Sequence, residues 1–191
     1  MKLGKNKKLI KRIIIGVLTS VIIALILMYR YHLKYFYLKL ITPKVNIENE
    51  EKYKDLHPVF KYHFYKFLKT LEKQGVKIIA TSGYRSIEKQ NELYNAGITN
   101  TKGGYSTHNF GIGADLNLIT PEGVNLKMAT SKNKWLDTIQ GFENFYLRWG
   151  GNFSNFYDPV HFDLKEKFPD LEYLRMLYNN NDLVNKKFVK I

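Results

Sequence analysis

The stretch STHNFGIGADLNLI, residues 106–119, decides how this chain folds. Its second part, GIGADLNLI, alternates in the manner of a strand and predicts one from about Gly113 to Leu118. Its first part carries His108 seven residues before Asp115, and glycines at 111 and 113, with 103 and 104 just upstream, allow a tight backbone path around the two side chains. Upstream, VKIIATSGY (76–84) predicts a buried strand that runs into a turn, and Ser86 then caps a short helix to Ala96, closed by Gly97. Before it, DLHPVFKYHFYKFLKTLEKQG predicts a helix with Asp55 as N-cap and Phe60, Phe64, Phe67, Leu68 and Leu71 on one face. Downstream, SKNKWLDTIQGFENFYLRWGG predicts a helix from about Lys132 to Leu147, VHFDL a further strand, and Pro169 the start of a last helix, PDLEYLRMLYNN. Strands and helices mix without regular βαβ alternation, so the class is α+β.

The chain has 191 residues, 45% of them hydrophobic and 15% aromatic, enough for one packed domain with chain to spare. It has no cysteine, which excludes disulfides, thiolate metal sites and a cysteine nucleophile. The net charge of +13 invites a nucleic-acid reading. Its placement argues otherwise: residues 1–44 hold ten Lys or Arg and no Asp or Glu, leaving 20 basic and 17 acidic residues, or +3, for 45–191. The body lacks the electrostatic footprint that nucleic acid demands.

Residues 13–28, IIIGVLTSVIIALILM, carry no charge, and YRYHLKYFY follows with aromatics suited to a membrane interface. Six basic residues in the first 12 put the N-terminus on the cytoplasmic side. No small-residue cleavage site follows Met28, so the expectation is an uncleaved signal-anchor. The expected organisation is a basic cytoplasmic segment at 1–12, a transmembrane signal-anchor at 13–29, a juxtamembrane tether at 30–50 and a soluble domain at 51–191. The localisation that follows is a single-pass protein of the cytoplasmic membrane, with its N-terminus inside and its folded domain outside.

Two histidines stand in unusual surroundings: His108, and His161 on the VHFDL strand. Two His and one carboxylate are an accepted ligand set for catalytic zinc, which keeps one position open. Spacing alone leaves a second reading open, in which each histidine is a satisfied hydrogen-bonding residue.

Three motifs in order, SGYRS (82–86), STHNFGIGAD (106–115) and DPVHF (158–162), resemble the zinc peptidases of the D-Ala-D-Ala carboxypeptidase and L-alanyl-D-glutamate endopeptidase family. The resemblance runs from about Phe64 to Leu164 and implies a small antiparallel sheet flanked by helices around a zinc cleft, a fold of the D-Ala-D-Ala peptidase and hedgehog kind. It implies one zinc ion per chain, held by His108, Asp115 and His161. The family's pattern S-x-H-x-x-G-x-A-x-D has alanine where this chain has Gly113. The resemblance further implies Asp158 as the catalytic acidic residue, and Arg85 as a catalytic and substrate-binding residue. Gln90 falls on a polar substrate-contacting position, and Tyr105 and Ser106 line the cleft. Positions three apart on a straight strand face opposite ways, so Asp158 and His161 need the bend that Pro159 allows. The alternative for Asp158 is a turn cap before proline, and for Arg85 a surface pair with Glu88. Asp163, on the strand face of His161, is the rival base, though a supporting role behind the ligand suits it better.

The expected partners are peptidoglycan stem peptides and, through the N-terminal helix, the membrane. The last motif has Asp rather than Glu and no Trp before His161, which resembles the endopeptidase branch that cleaves L-Ala–D-Glu. The alternatives are a D-Ala-D-Ala carboxypeptidase, and a catalytically silent, membrane-tethered module that binds the wall.

Overall fold

The computed structural model describes residues 2–129 and 131–164; the helix expected after Pro169 lies outside them. The chain divides into two compact units, Met1–Leu40 and Ile41–Ile191. The first is built from one helix, α1 (Lys2–Ile41), whose apolar side chains from Ile13 to Ile26 are about half exposed on every face. Thr19 and Ser20 return their hydroxyls to the carbonyls of Ile15 and Gly16. Among the described residues no helix is long and apolar enough to cross a membrane, so the transmembrane expectation for 13–29 finds no support there.

The second unit is a five-stranded sheet of order β1-β2-β3-β5-β4, with β1 (Ile47–Glu48), β2 (Lys77–Ser82), β3 (Gly113–Ile119), β4 (Leu147–Trp149) and β5 (His161–Leu164). β1 runs parallel to β2, and every other pair is antiparallel. The mixed class is as expected. The stretch assigned to the tether reaches into the sheet, since Ile47 pairs with Ile78.

Against this sheet packs α2 (Pro58–Lys73), whose Phe60, Phe64, Phe67, Leu68 and Leu71 are completely buried. Phe64 and Phe67 meet the ring of Phe162 on β5, with centroids 6.1 and 5.5 Å apart. The cap falls on His57 and not on Asp55: Pro58 occupies the first helical turn, and His57 Nδ1 accepts from the Val59 amide at 3.3 Å. Proline suits the first helical position and forces its predecessor out of helical geometry, which makes that predecessor the cap.

Helix α3 (Ile87–Asn95) starts as expected on Ser86, whose hydroxyl accepts from the Lys89 amide at 3.1 Å. The helix expected over 132–147 is shorter. α4 spans Lys132–Thr138, Gly141 turns the chain at φ 79°, a 3-10 turn covers Phe142–Phe145, and Tyr146 takes the left-handed φ of 59°. Residues 147–149 then become β4. The apolar spacing of this stretch is helical, but two left-handed residues break the helix and turn the chain so that Trp149 is fully buried beside Trp135.

Candidate metal centre and cleft

Asp115 and His161 sit directly opposite each other on β3 and β5. His108 comes from the 3-10 turn Thr107–Phe110, which Ser106 caps by accepting from the His108 amide at 3.3 Å. Gly111, at φ 65°, ends that turn and feeds the chain into β3. The three side chains converge: Asp115 Oδ1 lies 3.2 Å from His108 Nε2 and 2.8 Å from His161 Nδ1. One donor atom from each residue falls within 4.8 Å of the others.

The donor set fits a metal because the outward nitrogens are already engaged. His108 Nδ1 lies 2.6 Å from the Gly83 carbonyl, so it donates there and leaves Nε2 facing inward as an acceptor. His161 Nε2 lies 3.2 Å from Thr107 Oγ1 and 3.3 Å from Asp163 Oδ2, leaving Nδ1 inward. Outer partners of this kind fix the tautomer and orientation of a metal-ligating histidine. From behind, Tyr53 donates its hydroxyl to the Asp115 carbonyl at 2.7 Å.

Electrostatics match this geometry. Burial by itself would raise the Asp115 carboxyl, but the His108 and His161 rings outweigh it and hold the group far below the usual carboxylate range. Burial likewise works to lower His161, yet hydrogen bonds to Asp115 and Asp163 prevail and raise it to about 10. His108, Asp115 and His161 would hold a metal here only with His161 Nδ1 free of its proton, so binding would be coupled to proton release.

The centre lies in a cleft of about 520 Å³ that Arg85, Tyr105, Ser106 and Asp158 also line. Asp158 and His161 share it because the chain turns between them, the His161 amide donating to the Asp158 carbonyl at 3.2 Å. Gly150 makes the turn possible: a Cβ there would stand 2.3 Å from the Asp158 carbonyl oxygen and 3.1 Å from the His161 Cβ. Burial raises the Asp158 carboxyl above its ordinary value, the principal influence among those acting on it. Asp163, by contrast, is 1% exposed and gripped by Arg148 at 2.8 and 2.7 Å, with no freedom to exchange protons with a substrate.

Arg85 does not pair with Glu88 at the surface. Its guanidinium donates to Gln90 Oε1 at 2.7 Å and to Ser82 Oγ at 2.8 Å, and stands 3.6 Å from Asp115 Oδ2. Gln90 differs from its expected role as a substrate contact. It is fully buried, and its amide donates to the Thr101 carbonyl at 2.7 Å, so it braces Arg85 and the 99–101 segment instead of lining the cleft. Tyr105 is 80% exposed at the rim, and Ser106 is buried in its capping role. Thr107, Arg148 and Tyr53 were not expected from the sequence. Arg148 becomes visible only through the register that sets it opposite Asp163.

A family model described as D-alanyl-D-alanine carboxypeptidase matches residues 99–164. The peptidoglycan L-alanyl-D-glutamate endopeptidase CwlK of Bacillus subtilis (strain 168) is 28% identical over 123 residues, covering 58% of this chain and 74% of its own. The crystal structure of the Serratia marcescens L-Ala D-Glu endopeptidase ChiX has the same fold, with a TM-score of 0.51 at 20% identity over 71% of this chain and 96% of that one. The LdcB LD-carboxypeptidase structure superposes with a TM-score of 0.49 at 19% identity, covering 79% of this chain and 77% of its own. The matched stretch opens in the wall of the cleft and closes on the strand bearing its last histidine. Over residues 99–164 the chain is thus similar to the D-alanyl-D-alanine carboxypeptidase family, and over 58% of its length to a peptidoglycan L-alanyl-D-glutamate endopeptidase.

Proposed function

We propose that the protein is a zinc endopeptidase that hydrolyses the L-Ala–D-Glu bond of peptidoglycan stem peptides. The carrying observation is the convergence of three donor atoms within 4.8 Å, their outer nitrogens engaged, in a cleft shared with Asp158 and Arg85. His108, Asp115 and His161 would hold the zinc, which when bound lowers the pKa of a water towards about 7 and polarises a carbonyl. Asp158 accepts the proton of the attacking water and returns it to the amine as the C–N bond breaks. Its raised affinity for protons suits both halves of that exchange. Arg85, braced by Gln90 and Ser82, presents its cation to a substrate carboxylate or to the carbonyl oxygen as negative charge develops.

The choice of bond rests on the likeness to CwlK and on the motif DPVHF, with Asp as the base and no Trp before His161. The family model's description as a carboxypeptidase favours removal of a terminal D-Ala as the second reading. Mass spectrometry of muropeptides after digestion separates them. The expected products are glycan carrying L-Ala alone and peptides with a new amino-terminal D-Glu. Loss of a single D-Ala from intact stems would establish the carboxypeptidase reading instead.

For location, we infer a catalytic unit outside the cytoplasmic membrane, held there by residues 1–41. Supporting this are the apolar side chains that α1 exposes on all faces and the uniformly basic flank at residues 1–12. The full chain should sediment with membranes through a high-salt wash, and a chain beginning at residue 45 should not. Recovery of the full chain in the soluble fraction would contradict this.

A further inference from the structure

The ring of His161 is gripped at its outer nitrogen by two acceptors from different parts of the fold. Thr107 Oγ1, on the turn that carries His108, lies 3.2 Å from Nε2, and Asp163 Oδ2 lies 3.3 Å from it. Asp163 is itself held at both oxygens by Arg148, from Nε at 2.8 Å and from Nη2 at 2.7 Å. Phe153 closes the assembly, its ring 4.7 Å from the Arg148 guanidinium carbon and 5.9 Å from the His161 ring.

Room for the threonine depends on Gly113. A Cβ there would lie 2.3 Å from Thr107 Oγ1, 2.9 Å from Thr107 Cβ and 3.1 Å from His161 Cε1. Gly113 is the position at which this chain departs from the alanine of the motif. The departure and the threonine are therefore a matched pair, in which removing one methyl admits one hydroxyl against the back of a ligand.

We propose that Thr107 and Arg148 are positioning residues for His161: together with Asp163 they clamp Nε2 so that Nδ1 is presented towards Asp115 and His108. The proposal rests on the metal-centre reading above. An imidazole held on one side only can rotate about χ2 and carry Nδ1 out of line. An N–H shared between a hydroxyl oxygen and a carboxylate has one favourable orientation. Arg148 supplies stiffness one step further out, because a two-point guanidinium–carboxylate pair fixes the plane of the acceptor in a way a lysine cannot.

The test is the zinc affinity of the full chain in detergent, measured by competition with a chromophoric chelator, for Thr107→Val, Thr107→Ser, Arg148→Lys and Gly113→Ala. Thr107→Val keeps the shape and loses the hydroxyl, whereas Thr107→Ser keeps the hydroxyl. Valine, lysine and the Gly113 variant should each weaken zinc binding by about 10- to 100-fold, the range typical for partners of a metal ligand. Thr107→Ser should stay within about twofold of the parent chain. A purely structural role would lower the thermal midpoint of the metal-free chain and leave zinc affinity unmoved. Should Arg148→Lys fail to fold, the Val and Ser pair, one hydroxyl apart, still decides. Parent-like zinc affinity in Thr107→Val overturns the proposal while leaving the metal centre standing; a parent chain that binds no zinc overturns both.

Discussion

Asp158→Asn should leave zinc binding within about twofold of the parent chain and cut hydrolysis by about 10²- to 10⁴-fold, the usual contribution of a positioned acid–base group. Asparagine preserves the shape that fits beneath Gly150, where there is no space for even one added carbon. What it removes is the capacity to take a proton and give it back. Asp158 contributes no atom to the cluster of three donors, so the metal should remain. Zinc titration alongside turnover on purified sacculi checks both halves. A metal-loaded Asp158→Asn chain with full turnover would take the residue out of the chemistry. Asp163 offers no replacement, since its carboxylate is buried and committed to Arg148.

Asp115→Ala should have the larger effect on the metal, weakening zinc binding by more than about 100-fold, beyond the range for outer partners. Asp115 Oδ1 is the atom both histidines face, at 3.2 and 2.8 Å. Without it the two histidines lose the carboxylate that draws their nitrogens together. The same carboxylate shapes the metal-free chain's response to pH. His161 is raised to about 10, chiefly by Asp115 and Asp163 against the opposing effect of burial. A raised histidine stabilises the fold fully below its unfolded value of about 6.5 and ceases to do so as pH climbs through its folded value. Metal-free protein should therefore lose stability between about pH 6.5 and 10, and Asp115→Ala should narrow that window from above. Urea denaturation across this pH range is the check; a parent profile that stays flat would contradict the assignment.

The motif resemblance pointed to His108, Asp115 and His161 where spacing alone left a second reading open, and the fold explains how the spacing brings them together. Seven residues from His108 to Asp115 are enough for one 3-10 turn, a left-handed glycine and entry into a strand. Ser86 was legible as a cap for the same local reason. The hidden parts depend on contacts far apart in the chain. β4 lay inside a helix-like apolar pattern, and only Gly141 and Tyr146 in left-handed conformations expose it. With β4 misassigned, Arg148 had no route to Asp163, and the clamp on His161 could not be foreseen. The position of Gln90 is hidden in the sequence, where a polar residue five after Arg85 looks available; α3 turns it inward onto the arginine.

The central claim is that His108, Asp115 and His161 hold the metal that makes hydrolysis possible. Its most direct test is the release of stem peptides from purified sacculi by chelator-stripped protein, before and after one equivalent of zinc is returned. The account predicts no release from the stripped chain and full recovery with about one zinc per chain. Undiminished release by protein shown to be free of metal would contradict it.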